Sequence, residues 1–149
     1  MDALQDRIVS PTLVRKVRFS LDNHGYLSDH ACLYLQPTAK INPGYTKLQN
    51  RLGKATGKQI SPLAVLKYCL AFLNSDYANE RLWAGRRPTP KGSYQVAEDY
   101  LHEIPIPMPE KRSADSILSL VTQLVEAKTP AETEGLEKEL GTLTKRLLP

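Results

Sequence analysis

Apolar positions in the first third of the chain fall in short runs of strand type. They are Ile8-Val9 ahead of Ser10-Pro11, then Leu13, Val14, Val17 and Phe19, then Ala31-Cys32-Leu33-Tyr34-Leu35 ending before Pro37. Between them, Leu21-Asp22-Asn23-His24-Gly25-Tyr26 supplies the Asp, Asn and Gly of a tight turn, so residues 15–20 and 27–36 are expected to pair as a hairpin or meander. Strands this short need a helix packed on them. Residues 38–59 lose the apolar pattern and gain Pro43, Gly44, Gly53, Gly57 and several lysines. This stretch reads as a long surface loop with room for one short helix near 45–52, and long loops inside compact domains are often functional.

The clearest helix begins at Ser61-Pro62, a capping serine followed by proline at the first helical position, where its missing N–H is harmless. Residues 63–73 are apolar on nearly every face, which requires burial. A further helical turn or two is possible over 77–83. Residues 85–92 carry Gly85, Pro88, Pro90 and Gly92 and are excluded from regular structure; a short strand or turn follows at 93–96. Ile104-Pro105-Ile106-Pro107-Met108-Pro109 alternates apolar residues with proline, the pattern of an extended segment leading out of a unit.

From Ser113 onward the period is helical. Ile117, Leu118, Leu120, Val121, Leu124 and Val125 form one apolar stripe. Thr129-Pro130-Ala131-Glu132 then combines a capping threonine, a first-position proline and a glutamate three residues after the cap. The helix that follows sets Leu136, Leu140, Leu143 and Leu147 in a heptad-like seam, so residues 113–149 are expected to form a helical hairpin. Gly135 and Gly141 weaken its second helix by about 1 kcal/mol each relative to alanine. The expected architecture is α+β: a small twisted, mainly antiparallel sheet packed on a buried helix within residues 1–112, followed by the hairpin at 113–149.

Composition adds limits to this picture. At 149 residues, 41% hydrophobic and 24% charged, the chain is one globular domain or a small domain with an appendage. No apolar run reaches membrane-span length, and charged residues interrupt the first twenty positions, so a cytoplasmic protein is expected. Cys32 and Cys69 lie in separate apolar segments without metal-ligand spacing and read as reduced, structural thiols.

The net charge of +4 is unevenly distributed. The last 37 residues hold four basic and six acidic side chains, so the basic excess belongs to residues 1–112. Within these, 40–58 contains Lys40, Lys47, Arg51, Lys54 and Lys58 with no acid, and 81–91 contains Arg81, Arg86, Arg87 and Lys91 with none. Two acid-free basic stretches fit a polyanion partner, or else solvated loops of a mildly basic protein.

Catalytic signatures are missing: the sequence has no GxGxxG, GxxxxGK[ST], GxSxG or HExxH. His24, Asp29 and His30 lack specific ligand spacing, and Glu98-Asp99 are adjacent, so they diverge if extended. Binding chemistry is better represented. Lys and Arg neutralise phosphates, and Arg also reads guanine edges. Arg86-Arg87 lie between Trp83 and Tyr94 with Thr89, Ser93 and Gln95 nearby; Trp83 and Tyr94 serve either as aromatic surface or as packing beneath the loop.

The string 63–75, ending Phe72-Leu73-Asn74-Ser75, then Gly92-Ser93-Tyr94-Gln95-Val96, then Tyr100-Leu101-His102-Glu103-Ile104-Pro105-Ile106-Pro107, resembles the TaqI-type C-terminal specificity domain of adenine-specific DNA methyltransferases and type IIG restriction-modification enzymes. In that family a helix ending "LLNS" precedes a "GGY" or "GSY" segment and a "leklPIP" exit. Arg18-Phe19-Ser20-Leu21-Asp22-Asn23-His24-Gly25-Tyr26 is similar to its "rfald.egyy" hairpin, and 136–148 is similar to its closing helix but lacks the usual tyrosine. The resemblance covers nearly the whole chain. It implies a target-recognition module that holds duplex DNA for a methyltransferase domain or subunit, which flips out an adenine.

The catalytic parts of such an enzyme are not in this sequence. Asn42-Pro43-Gly44-Tyr45 replaces the N/DPPY/F motif, and neither a glycine-rich S-adenosylmethionine loop nor a PD…(D/E)xK set occurs. The cofactor S-adenosylmethionine is thus expected only in the associated methyltransferase. The resulting expectation is DNA binding without modification. Lys40, Lys47, Arg51, Lys54 and Lys58 lie on the first basic stretch, the last four chiefly on phosphates; Arg86, Arg87, Lys91 and Gln95 reach base edges, with Tyr94 beside them. The rival is a protein-interaction module that docks a methyltransferase subunit, or a second copy as a homodimer, through the 113–149 helices.

Overall fold

The computed structural model describes residues 7–11, 13–14, 20–22, 32–35, 43–84, 90, 94–95 and 104–148. Five short strand segments are β1 (Arg7–Pro11), β2 (Leu13–Val14), β3 (Ser20–Asp22), β4 (Cys32–Leu35) and β5 (Tyr94–Gln95). The helices are α1 (Pro43–Thr56), α2 (Pro62–Leu73), α3 (Asp76–Trp83), α4 (Ala114–Glu126) and α5 (Pro130–Leu147).

The expected α+β fold, a twisted antiparallel sheet packed on a buried helix, is corrected: the described body is helical. Helices of 14, 12, 8, 13 and 18 residues outweigh strands of two to five. Among the described side chains of the core cluster only Ile8 comes from a strand; all others belong to helices or to Ile104. The physical reason is length, because strands of two to five residues are too short to stand as a layer without helices packed on them. Helices supply the missing apolar surface. Of the expected pairing of 15–20 with 27–36, the described residues Ser20 and 32–35 both pair with β1 instead, while 15–19, 27–31 and 36 lie outside the described residues. β1 lies between β3 and β4, antiparallel to both, with Ile8 opposite Leu21 on one side and Leu35 on the other.

Within residues 38–59, expected as a long loop with one short helix near 45–52, the helix is present and longer, running over α1. Leu48 and Leu52 are buried one turn apart and Ala55 packs beside them, so this helix contributes its own stripe to the core. Two glycines and a low apolar content hide the stripe in the sequence.

α2 is the central element. It touches α1, α3, α4 and α5, and also β1 and β3. It starts as its sequence predicts: the Ser61 hydroxyl accepts from the Ala64 N–H at 3.2 Å and Pro62 opens the helix. Tyr68, Phe72, Leu66 and Leu70 are buried. The Tyr68 hydroxyl donates to the Pro107 carbonyl at 2.8 Å, pinning the proline-rich segment across α2. α3 repeats the capping logic, with the Ser75 hydroxyl accepting from Ala78 N–H at 3.1 Å.

α4 buries Ile117, Leu120 and Val121, and α5 packs on it. The reciprocal cap forms at Thr129: its hydroxyl accepts from Glu132 N–H at 3.3 Å, and the Glu132 carboxylate accepts from Lys128 N–H at 3.2 Å. Ile117 and Val121 share one core cluster with Phe72 and Leu52, so no break in packing separates the hairpin from α1 and α2.

Candidate nucleic-acid interface

The first basic stretch becomes a helix face. Steps of about 100° per residue place Lys47, Arg51 and Lys54 within one narrow arc of α1, spanning about 10 Å along its axis. All three are exposed or half-buried at most, while Leu48 and Leu52 on an adjoining arc are buried. Burial of the apolar arc therefore fixes which way the cations face. The first turn of α1 has no acid to compensate them. Lys54 in the last turn also complements the partial negative charge of the helix end.

The exit from α1 is rigidly specified. Gly57 has φ +70, a left-handed conformation that favours glycine, and its N–H donates to the Gly53 carbonyl at 2.9 Å. The Thr56 hydroxyl donates to the Leu52 carbonyl at 2.8 Å, and Gln49 Nε2 donates to the Ile60 carbonyl at 2.9 Å, tying the following turn back onto the helix. Lys58 is held in that turn. Its Nζ lies 3.7 Å from Asp115 Oδ1, with side chains 74% and 58% exposed. The two residues line an open cleft of ≈ 370 Å³ together with Thr56, Ser61, Ser119 and Thr122. Beside it, Lys67 Nζ donates to Thr122 Oγ1 at 3.0 Å.

The structure thus brings together Lys47, Arg51 and Lys54, with Lys58 one turn beyond the helix. Lys40, Arg86, Arg87 and Lys91 lie outside the described residues, as do His24, Asp29 and His30. Tyr94 and Gln95 form β5, whose backbone pairs antiparallel with Val14 and Leu13. Trp83 is partly buried against the core, with its indole N–H donating to Asn79 Oδ1 at 3.0 Å. Asp115 and Lys67 do not stand out in the sequence. Nothing there signals that a carboxylate 57 positions after Lys58 meets it.

The leucine seam of 136, 140, 143 and 147 turns inward: Leu140 is buried, and Leu136, Leu143 and Leu147 pack against the core cluster. Among the described residues no helix is long and apolar enough to cross a membrane. No family model matches the chain, and no curated protein matches it. The likeness to TaqI-type specificity domains therefore rests on its motifs.

Proposed function

We propose that the chain is a sequence-specific duplex-DNA recognition module of a restriction-modification or adenine-N6 methyltransferase system, acting beside a separate catalytic domain or subunit. The observation that carries this reading is the acid-free cationic face of α1. Three cations held on one helix face neutralise phosphates and release counterions, a contact that positions DNA without reading its sequence. Base reading falls to Arg86, Arg87, Lys91 and Gln95, with Tyr94 beside them; the support there is the residue types and the motif resemblance.

A protein-docking role through the 113–149 helices is less favoured, because the leucine seam that would serve it already packs within the chain. The test is selection of bound duplexes from a random pool, followed by two single variants on the enriched site. Arg86→Ala is expected to lose about 1–3 kcal/mol on that site and to relax one position, while Lys54→Ala weakens all sequences alike. No enriched motif, or equal losses on cognate and random DNA for both variants, overturns the recognition reading.

A further inference from the structure

Among the described residues, Lys58 differs from the three cations of α1 in having a carboxylate partner, Asp115, carried by a different element. The turn holding Lys58 is fixed by the Gly57 N–H on one side and by the bond from Gln49 to Ile60 on the other, so only the lysine side chain is free to choose a partner. At 3.7 Å and well exposed, the ion pair is longer than a charge-assisted hydrogen bond and belongs to the weak surface class. A phosphate offers Lys58 a competing anion.

We propose that Asp115 sets the affinity of the basic face by holding Lys58 in an ion pair that a DNA phosphate must displace. This inference rests on the DNA reading of α1. In the free protein Lys58 is partly neutralised; in the complex its ammonium turns from Asp115 to a phosphate, and the freed carboxylate is left beside a polyanion. Both effects reduce affinity, and only the first passes through Lys58. The pair also joins the turn after α1 to the start of α4, so occupancy of the basic face releases one link between the two.

The test is a double-mutant cycle on duplex binding by the whole chain, using wild type, Asp115→Asn, Lys58→Ala and the double variant, with a random-sequence duplex at low salt. Asp115→Asn is expected to tighten binding roughly two- to five-fold in the wild-type background, and distinctly less when Lys58 is replaced by alanine. Lys58→Ala correspondingly weakens binding more in the Asp115→Asn background than in wild type. Thermal melts confirm that each protein is folded, and Asp115→Ser replaces the asparagine variant if that one is not. An equal gain in both backgrounds, or no gain, overturns the role of Asp115 while leaving the DNA reading intact. Absence of duplex binding in all four proteins overturns the DNA reading and this inference together.

Discussion

Three serines stand immediately before three helices and behave in two ways. Ser61 and Ser75 accept hydrogen bonds from the amides three residues on, whereas Ser113 has φ −120 and ψ −21, makes no cap, and buries its hydroxyl oxygen without a partner. Sequence alone treats all three alike; the difference lies in the backbone dihedrals. Ser61→Ala is expected to lose about 1 kcal/mol of stability. Ser113→Ala is expected to gain up to about 1 kcal/mol, because it removes an unsatisfied buried polar group. Chemical denaturation midpoints check both signs, and a loss at Ser113 comparable to that at Ser61 contradicts this assignment.

Two neighbouring groups on α2 give the fold a limit at high pH. Burial pushes the Cys69 thiol up from 9.0 to about 11. Tyr68 is raised from 10.0 first by burial, then by the nearby Cys69 and Glu110. Both side chains keep their protons in the folded state at pH values where the unfolded chain releases them. The contribution of these two groups to stability is therefore full below pH 9, falls from 9 towards 11 as Cys69 resists ionisation, and continues to fall above 10 through Tyr68. Urea melts across this range are expected to show the decline, and Cys69→Ala to flatten its first part.

Among the elements, the capped ones are readable from sequence and the amphipathic ones only in part. Ser61-Pro62 and Thr129-Pro130-Ala131-Glu132 announce α2 and α5 because capping is local chemistry. α1 resembles a loop in sequence because Gly53 and Gly57 and the lysines outweigh its sparse stripe of Leu48, Leu52 and Ala55. That stripe carries the helical period even so. The strands mislead in the opposite direction: their apolar runs are real, but pairing partner and length depend on the rest of the molecule, and β1 rather than β4 is the neighbour of β3.

α5 retains two exposed helical glycines with open space where a Cβ would stand and no positive φ. Gly135→Ala and Gly141→Ala are each expected to raise stability by about 0.5–1 kcal/mol, additively given their separation. A destabilised variant contradicts the open space read at that position.

At the scale of the whole molecule, one apolar cluster running from Leu48 through Phe72 to Val121 and Leu140 joins helices that the sequence presents as separate units. α2 is apolar all round, so its sequence shows that it is buried but not what covers it. The candidate site follows the same division. That basic residues are concentrated in 40–58 is plain from the sequence; that three share one face depends on α1 being helical, and the pairing of Lys58 with Asp115 depends on the tertiary packing of α1 against α4.

The central claim is that the α1 face binds phosphates, and the most direct measurement is the salt dependence of duplex binding by fluorescence anisotropy. Wild type is compared with the variant in which Lys47, Arg51 and Lys54 are all replaced by alanine. The account predicts salt-sensitive binding, with the slope of log K against log salt shallower by about 2.7 in the variant, about 0.9 for each lost phosphate contact. Equal slopes in the two proteins, or no salt-sensitive binding by wild type at low salt, contradict it.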